Sequence, residues 1–496
     1  MTKPGKNPVD HGRMIHVLQN RAQILNLTGK NQKAHADLTR GLGLARHCGD
    51  KRSQACCLLL LCDVYNSLSS YQEMMHAATE SLDIHRELKD KKGQAESLNN
   101  IGLVYNSLGD FTRALEHFHS SLAIQEDIGD LRGQATSLNS AGNVHNSLGD
   151  FTRALEYHQR SLTAREAAGD RQGQAASLNS IGAVYSGMGE IHRALDHITR
   201  SHEIQEQIGD RRGQALSLNN MGSLSSYLGD YQPALGHLKK ALKVREEIGD
   251  RQGQAASHNS IGTVLLNGYC DYSGALEQYH RSLKIREEIG DRKNQAVSLN
   301  NIGAVHDTLG DYGPALVHYN RSLQMREEMG DKPGQAANLN NIASVYLELE
   351  RYGEAEACLT NGERIAGEIG AREYLRRLCI SWGELKLRTG QPADAAPAAL
   401  EYAERALVLA EELSSRSGRA EALLLKARIV KDDNIFKKSI ELFELLEQPL
   451  ETAKAYYYYS LAMSNQTAAD KARDIFNRIG ARSWLARIDR AVDGGK

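Results

Sequence analysis

The side chains in this sequence that could hold a metal or act as nucleophiles are 18 histidines and seven cysteines. The cysteines stand at 48, 56, 57, 62, 270, 358 and 379, an odd set with no Cys-x-x-Cys pair. That spacing implies neither a disulfide framework nor a zinc module, and they read as buried thiols. His117, His197, His237 and His318 share one position of a recurring pattern. Ligands of one ion must each lie within about 2 Å of it, whereas helices of neighbouring repeats pack about 8–10 Å apart. The four cannot meet, and His117 and His119 point in different directions from one helix. Neither a His-Glu-x-x-His pair, a glycine-rich phosphate loop nor a nucleophile elbow occurs. The expectation is a chain that is not an enzyme and uses no metal or cofactor.

The chemistry that does recur is that of the carboxamide. Asn99, Asn139, Asn179, Asn219, Asn259, Asn300 and Asn340 are equivalent, and the next position carries Asn100, Ser140, Ser180, Asn220, Ser260, Asn301 and Asn341. One helical turn on come Leu103, Asn143, Ala183, Ser223, Thr263, Ala304 and Ser344, mostly small. Asparagine inside a helix costs about 0.5 kcal/mol relative to alanine, so seven copies forgo roughly 3–4 kcal/mol that something must offset. In one reading the eleven asparagines of the first two ranks form a ladder that binds the backbone of an extended peptide, centred on the fifth to eighth units. An amide offers donors and an acceptor whatever the peptide's side chains are. In another reading each amide bridges to the neighbouring unit and locks the stack. Recent duplication would also leave copies of one residue.

These positions are set by a repeat. Gly-Asp occurs at 129–130, 169–170, 209–210, 249–250, 290–291 and 330–331, a period of 40 residues broken once, by one residue, at Asn267-Gly-Tyr-Cys-Asp271. The regular units run 11–50, 51–90, 91–130, 131–170, 171–210, 211–250, 251–291, 292–331 and 332–371. Within one, Leu98, Ile101, Gly102 and Tyr105 fall at helical spacing, as do Ala114, Leu115, Phe118 and Leu122. Between them Gly109 can end a helix in the left-handed conformation and Asp110 can cap the next. A hairpin of two helices cannot bury its apolar stripes alone and must stack on its neighbours. The spacing therefore predicts an all-α solenoid of antiparallel helical hairpins: a tail at 1–10, nine regular hairpins over 11–371, and divergent hairpins with a capping C-terminal helix over 372–496. Gly383 and Gly390 keep helical patterning in that last part.

The unit resembles a tetratricopeptide repeat, with Leu98, Ile101, Gly102, Tyr105, Ala114 and Phe118 at the signature positions. It lacks the proline at the end of the second helix, where Glu126 stands, and has Leu or Ile instead of Trp at the first large position. Leu-Asn-Asn-Ile-Gly in the first helix is similar to repeats of kinesin light chain, and the Gly-Asp-Arg-x-Gly-Gln linkage to those of Pins-type spindle-orientation adaptors. Residues 472–487 resemble the helical sensor regions of large bacterial regulators. The resemblance implies a superhelix whose first helices line the concave side, and a protein- or peptide-binding scaffold or adaptor. It also leaves open a sensor module whose effector domain belongs to a partner protein.

Composition bounds the partners. With 60 Lys+Arg against 62 Asp+Glu the net charge is −2, which excludes a polybasic nucleic-acid surface as the dominant feature. The longest apolar run, Ala55–Cys62, is far short of the roughly 18 residues a membrane-spanning helix needs. The start, Met-Thr-Lys-Pro-Gly-Lys-Asn-Pro, has no apolar signal stretch, so a cytoplasmic location and no membrane partner are expected. On the inferred open groove, Glu96, Asp307 and Glu348 add negative charge, and Arg377 and Arg388 add positive charge near the divergent end. A neutral or mixed-charge ligand is expected.

Overall fold

The computed structural model describes residues 8–389, 392–413, 415–446, 448–479, 484–485 and 487–489. Of the expected tail 1–10, residues 1–7 lie outside the described residues, as does Gly390, and Pro8 begins the first helix. The described chain is helical and holds no strand. Its helices pair in chain order: α1 (Pro8–Leu27) with α2 (Asn31–His47), α3 (Lys51–Leu68) with α4 (Tyr71–Glu87), α5 (Lys91–Leu108) with α6 (Phe111–Asp127), α7 (Leu131–Leu148) with α8 (Phe151–Ala167), α9 (Arg171–Gly187) with α10 (Ile191–Gln207), and α11 (Arg211–Tyr227) with α12 (Tyr231–Glu247). Then follow α13 (Arg251–Tyr269) with α14 (Tyr272–Ile289), α15 (Arg292–Leu309) with α16 (Tyr312–Met329), α17 (Lys332–Glu348) with α18 (Tyr352–Glu368), α19 (Arg372–Thr389) with α20 (Pro392–Glu412), α21 (Arg416–Val430) with α22 (Asp433–Leu445), and α23 (Pro449–Met463) with α24 (Gln466–Ile479). No described helix is long and apolar enough to cross a membrane.

The hairpin turn follows from two residues. Gly109 takes φ +82°, a region open to glycine without a Cβ clash, and the Asp110 amide reaches back to the Tyr105 carbonyl at 2.9 Å, closing the first helix. The Asp110 carboxylate then accepts from the Arg113 amide at 3.1 Å and caps the second. The extra residue of the seventh hairpin lengthens α13, and Cys270 adopts the left-handed conformation that glycine takes in most of the other regular hairpins and Ser69 and Glu350 in the second and ninth.

Side-chain size sets how closely the two helices of a hairpin cross. Gly102 lies under the Phe118 ring, and the same crossing recurs as Gly142 under His158, Gly222 under Leu238, and Gly262 and Gly303 under Tyr279 and Tyr319. Between hairpins a buried relay of serines makes the contact. Ser121 Oγ of α6 donates to the Ala95 carbonyl of α5 at 2.7 Å and accepts from Ser137 Oγ of α7 at 2.9 Å. Ser161, Ser201, Ser282 and Ser322 repeat the first bond at 2.7–2.8 Å. Hydroxyls this small let helices approach while the buried oxygens of the relay keep hydrogen-bond partners.

Successive odd-numbered helices pack directly on one another, and no even-numbered pair approaches to the same extent. The odd helices therefore line the concave side. The coil is tight enough for its turns to touch. Asn31 Nδ2, at the turn of the first hairpin, donates to the Ile289 carbonyl at 3.2 Å, and Ser69 Oγ of the second accepts from the Lys293 amide at 3.2 Å. The turn at Gly109 rests on Pro333 and Ile369, that at Gly149 on Leu413, and that at Gly189 on Leu446. Each turn thus meets the hairpin about six places on, and the expected open groove is instead the wall of a channel closed by a seam between coils.

The crossing glycines give a test. An alanine at Gly102 would set its Cβ 2.6 Å from the Phe118 ring, which is 1% exposed and cannot yield. Overpacking of this kind costs about 1–3 kcal/mol, against up to about 1 kcal/mol regained from helix preference. Gly102→Ala should therefore lower stability in urea unfolding. Gly236→Ala, where nothing lies within 4 Å, should leave it unchanged or raised.

Candidate functional site

The channel wall is built from the ranks of residues on the odd helices. Five of the seven asparagines of the first rank bond to neighbouring hairpins. Asn179 Oδ1 accepts from Asn220 Nδ2 at 3.3 Å, Asn259 Oδ1 from Asn301 Nδ2 at 2.8 Å, Asn300 Oδ1 from Asn341 Nδ2 at 2.9 Å, and Asn340 Oδ1 from Ser381 Oγ at 2.9 Å. Asn219 donates to Ser260 Oγ at 3.2 Å and accepts from the buried Arg245 guanidinium at 3.1 Å. Asn179 also donates to Ser201 at 2.8 Å and to Ser217 at 3.2 Å. Asn139 pairs with the His158 ring at 3.1 Å, inside one hairpin. Asn99 is buried, its Oδ1 without a hydrogen-bond partner among the described residues, and Asn100 is half-buried. These bonds serve the stack, and they explain how helix-disfavouring amides are tolerated in the helix interior.

The rank one turn further on is the one that meets water. Asn143, Ala183 and Ser223 are exposed, and Leu103, Thr263, Ala304 and Ser344 are half-buried. Small side chains here leave room over the wall. A cavity of about 480 Å³ runs across the first halves of α9, α11, α13 and α15, lined among others by Ala176, Leu216, Ala256, Arg212 and Asp250. A second, of about 890 Å³, opens where the far ends of α7, α9, α11 and α13 meet α19, α21 and α23 across the seam. Its walls carry Ser223, Tyr227, Thr263 and Asn267 from one coil and Tyr374, Arg376, Arg377 and Glu421 from the next. Arg376 is 2% exposed and held at 2.7 Å by both Glu373 and Glu421, so it is spent on structure, whereas Arg377 remains largely exposed beside Glu373.

Acidic groups sit on the same wall. Asp63 and Glu96, on α3 and α5, are accessible at their surface, yet the protein crowded around them displaces enough hydrating water to push the Asp63 carboxyl up to about 6 and to raise that of Glu96. Burial and then Glu348 push Asp307 up to about 6 as well. The sequence pointed to Glu96, Asp307 and Glu348 but missed Asp63, whose place in a leucine-rich helix hides its direction.

Three of the four equivalent histidines pack on aromatic rings. His117 stacks on Tyr105 at 5.4 Å, His197 on Tyr185 at 5.4 Å, and His318 on His306 at 5.7 Å. No group of three metal-ligating side chains gathers among the described residues. The expectation of buried thiols holds for Cys57, Cys62 and Cys379; Cys270 and Cys358 are half-buried, and Cys48 at the end of α2 and Cys56 on α3 are exposed. Cys56 precedes the buried Cys57 on one helix, and adjacent helical positions face different ways.

Two measurements follow. Replacing Asn219, Asn259 and Asn300 together by alanine removes bonds between hairpins, each worth about 0.5–1.5 kcal/mol, against about 0.5 kcal/mol per site of helix preference. The melting temperature should fall, and an unchanged or raised one would refute a locking role. His158 supplies a pH test. Burial pushes its pKa from 6.5 down to about 4, so the folded state holds it neutral while the unfolded chain takes up a proton near 6.5. That contribution is complete above pH 6.5 and is lost progressively as pH falls towards 4, on the order of 3 kcal/mol in all. His158→Phe, which installs the residue found 40 places earlier as Phe118, should flatten this part of the urea-stability profile.

Comparison with known proteins places the repeat. A tetratricopeptide repeat model matches residues 53–127, 133–207, 173–247, 213–288 and 253–328, and a second tetratricopeptide repeat model matches 336–367. No curated protein matches the sequence. Among solved structures the chain is similar to a Rap protein complexed with Competence and Sporulation Factor (16% identity, TM-score 0.49, covering 72% of this chain and 98% of that one). It is also similar to BtubC (BKLC) from P. vanneervenii (18%, 0.36, 45% and 91%) and to yeast Tom70 (13%, 0.39, 90% and 97%). With the repeat models covering more than half of its 496 residues, the chain belongs to the tetratricopeptide repeat family.

Proposed function

We propose that the chain is a protein-binding scaffold that holds an extended peptide along the channel wall of hairpins five to eight. The observation that carries this reading is the exposed rank Asn143, Ala183 and Ser223, continued by Thr263, of which Ser223 and Thr263 line the larger cavity at the seam while the smaller cavity lies towards the start of the same helices. In this reading the asparagines space the hairpins first, and meet the peptide only with the N–H and C=O positions that their mutual bonds leave over. The mixed lining of Arg212, Asp250 and Leu216 supports a ligand of mixed charge with apolar side chains. Peptide-backbone recognition needs no reacting group, and the wall offers hydrogen bonds and shape rather than a nucleophile beside a base. The same reading makes 372–496 a divergent cap: α19 covers Leu359 and Ile365 of the ninth hairpin, which would otherwise face water.

Filling the strip tests the proposal. A randomised dodecapeptide library panned against the full chain should enrich binders. The double variant Ala183→Trp, Ser223→Trp should lose them at least tenfold, with its melting temperature unchanged because both positions are exposed. Binders that persist on the double variant would place the site elsewhere.

A further inference from the structure

From α3 onward the odd helices of the regular repeat present one face to the hairpin before them. On α3, Cys57 lies against Gly41 of α2 and accepts from Gln19 of α1, and Gln54 donates to the Ala45 carbonyl of α2 at 3.2 Å. Further along the same face, Val144 of α7 is buried with Phe111 and Phe118 of α6, Val264 of α13 with Leu238 of α12, and Val305 of α15 with Tyr279 of α14. Forty residues before Gln54, Cys57 and Val64 stand Met14, Val17 and Ile24 of α1. They are 41, 57 and 63% exposed, and Leu27, one turn on, is 56% exposed. Gln134 and Ser137, which hold α7 to α6, correspond to Met14 and Val17, so the polar pair of the regular stack gives way here to an apolar one. A terminal repeat keeps itself soluble by turning a polar face to water. The first hairpin turns an apolar one.

Direction and spacing identify what fits this face. Consecutive helices of the stack pack side by side and reverse direction at each turn, so a helix preceding α1 would run against it. A second α1, related by a two-fold axis, also runs against it. An isologous contact requires that residue i meet residue j and j meet i. Met14, Val17, Ile24 and Leu27 follow one another at steps of three, seven and three residues along one side of the helix, a spacing that reads the same in both directions. With the dyad between Asn20 and Arg21, which stand midway, Val17 falls opposite Ile24 of the second copy and Met14 opposite its Leu27. The charge nearest the dyad is already matched: the Arg21 guanidinium takes both oxygens of Asp37 on α2, at 2.5 and 2.6 Å. The seam leaves the stripe clear, since the first hairpin meets the seventh through its turn at Gly29 and Asn31.

We propose that α1 is a two-fold interface and that its partner is a second copy of this chain, whose first hairpin takes the place a preceding hairpin would occupy. The contact continues the hairpin stacking of the coil, with the alternation of helix direction kept and the chain direction reversed at the dyad. A single helical stripe is at the small end of specific interfaces, so the dimer forms and dissociates in the micromolar range.

Sedimentation velocity of the full chain, diluted through the micromolar range, tests it. The wild type should pass from twice the chain mass to one chain mass. Val17→Glu with Ile24→Glu sets like charges opposite one another across the dyad and should raise the dissociation constant at least tenfold, with circular dichroism unchanged because both side chains face water in the single chain. Val17→Glu with Ile24→Lys sets opposite charges across the dyad instead, and should associate at least fivefold more tightly than the doubly acidic variant. A wild type that stays a single chain at the highest concentration, with residues 1–7 or a different protein left to cover the face, overturns the proposal. So does a dimer that survives the doubly acidic change, which would put the contact elsewhere. Two variants that associate equally weakly contradict the dyad and overturn it as well.

Discussion

One constraint governs this molecule: a helical hairpin has an apolar face on each side and can be covered only by another hairpin. The chain meets it with a contact that recurs through most of the regular hairpins. Glycine at most crossings lets the two helices close on one large side chain, and a serine of the second helix donates to an alanine carbonyl of its own hairpin and accepts from a serine of the next. Because each step is alike, small rotations add with one sign, and repetition turns a local contact into a coil. The coil's pitch then brings hairpins about six apart into touch, so the seam between coils is a consequence of the serine and glycine geometry and not a separate interface.

That relation explains what could be read from the sequence. The 40-residue period, the glycine–aspartate turns and the helical spacing of Leu98, Ile101 and Tyr105 are local patterns, and the all-α architecture follows from them. The seam is different. Contacts such as Asn31 with Ile289, or Ser69 with Lys293, depend on the summed rotation of hairpins between them, and no single unit records that sum. The serines were in plain view at the 40-residue interval, but a small hydroxyl gives no periodic hydrophobic signal.

The asparagines show a second limit. A repeated amide on a concave helix has the same appearance in sequence whether it faces a ligand or a neighbouring hairpin, since both roles need one donor and one acceptor at the same register. Only geometry separates them. Asn259 and Asn300 spend their carbonyls on Asn301 and Asn341, and so place the exposed rank one turn away in contact with the channel. Charge followed the same course: Glu96, Asp307 and Glu348 stood at legible positions, whereas Asp63 and the ion pair between Arg487 and Glu348 needed the coil.

The central claim is that uniform hairpin stacking closes the coil on itself. Spin labels at positions 69 and 293, which lie in the second and eighth hairpins and touch across the seam, measure it directly by double electron–electron resonance. Closure predicts a single narrow distribution at the shortest distances the labels allow, whereas a broad distribution or a long mean distance would show an open coil and contradict the account.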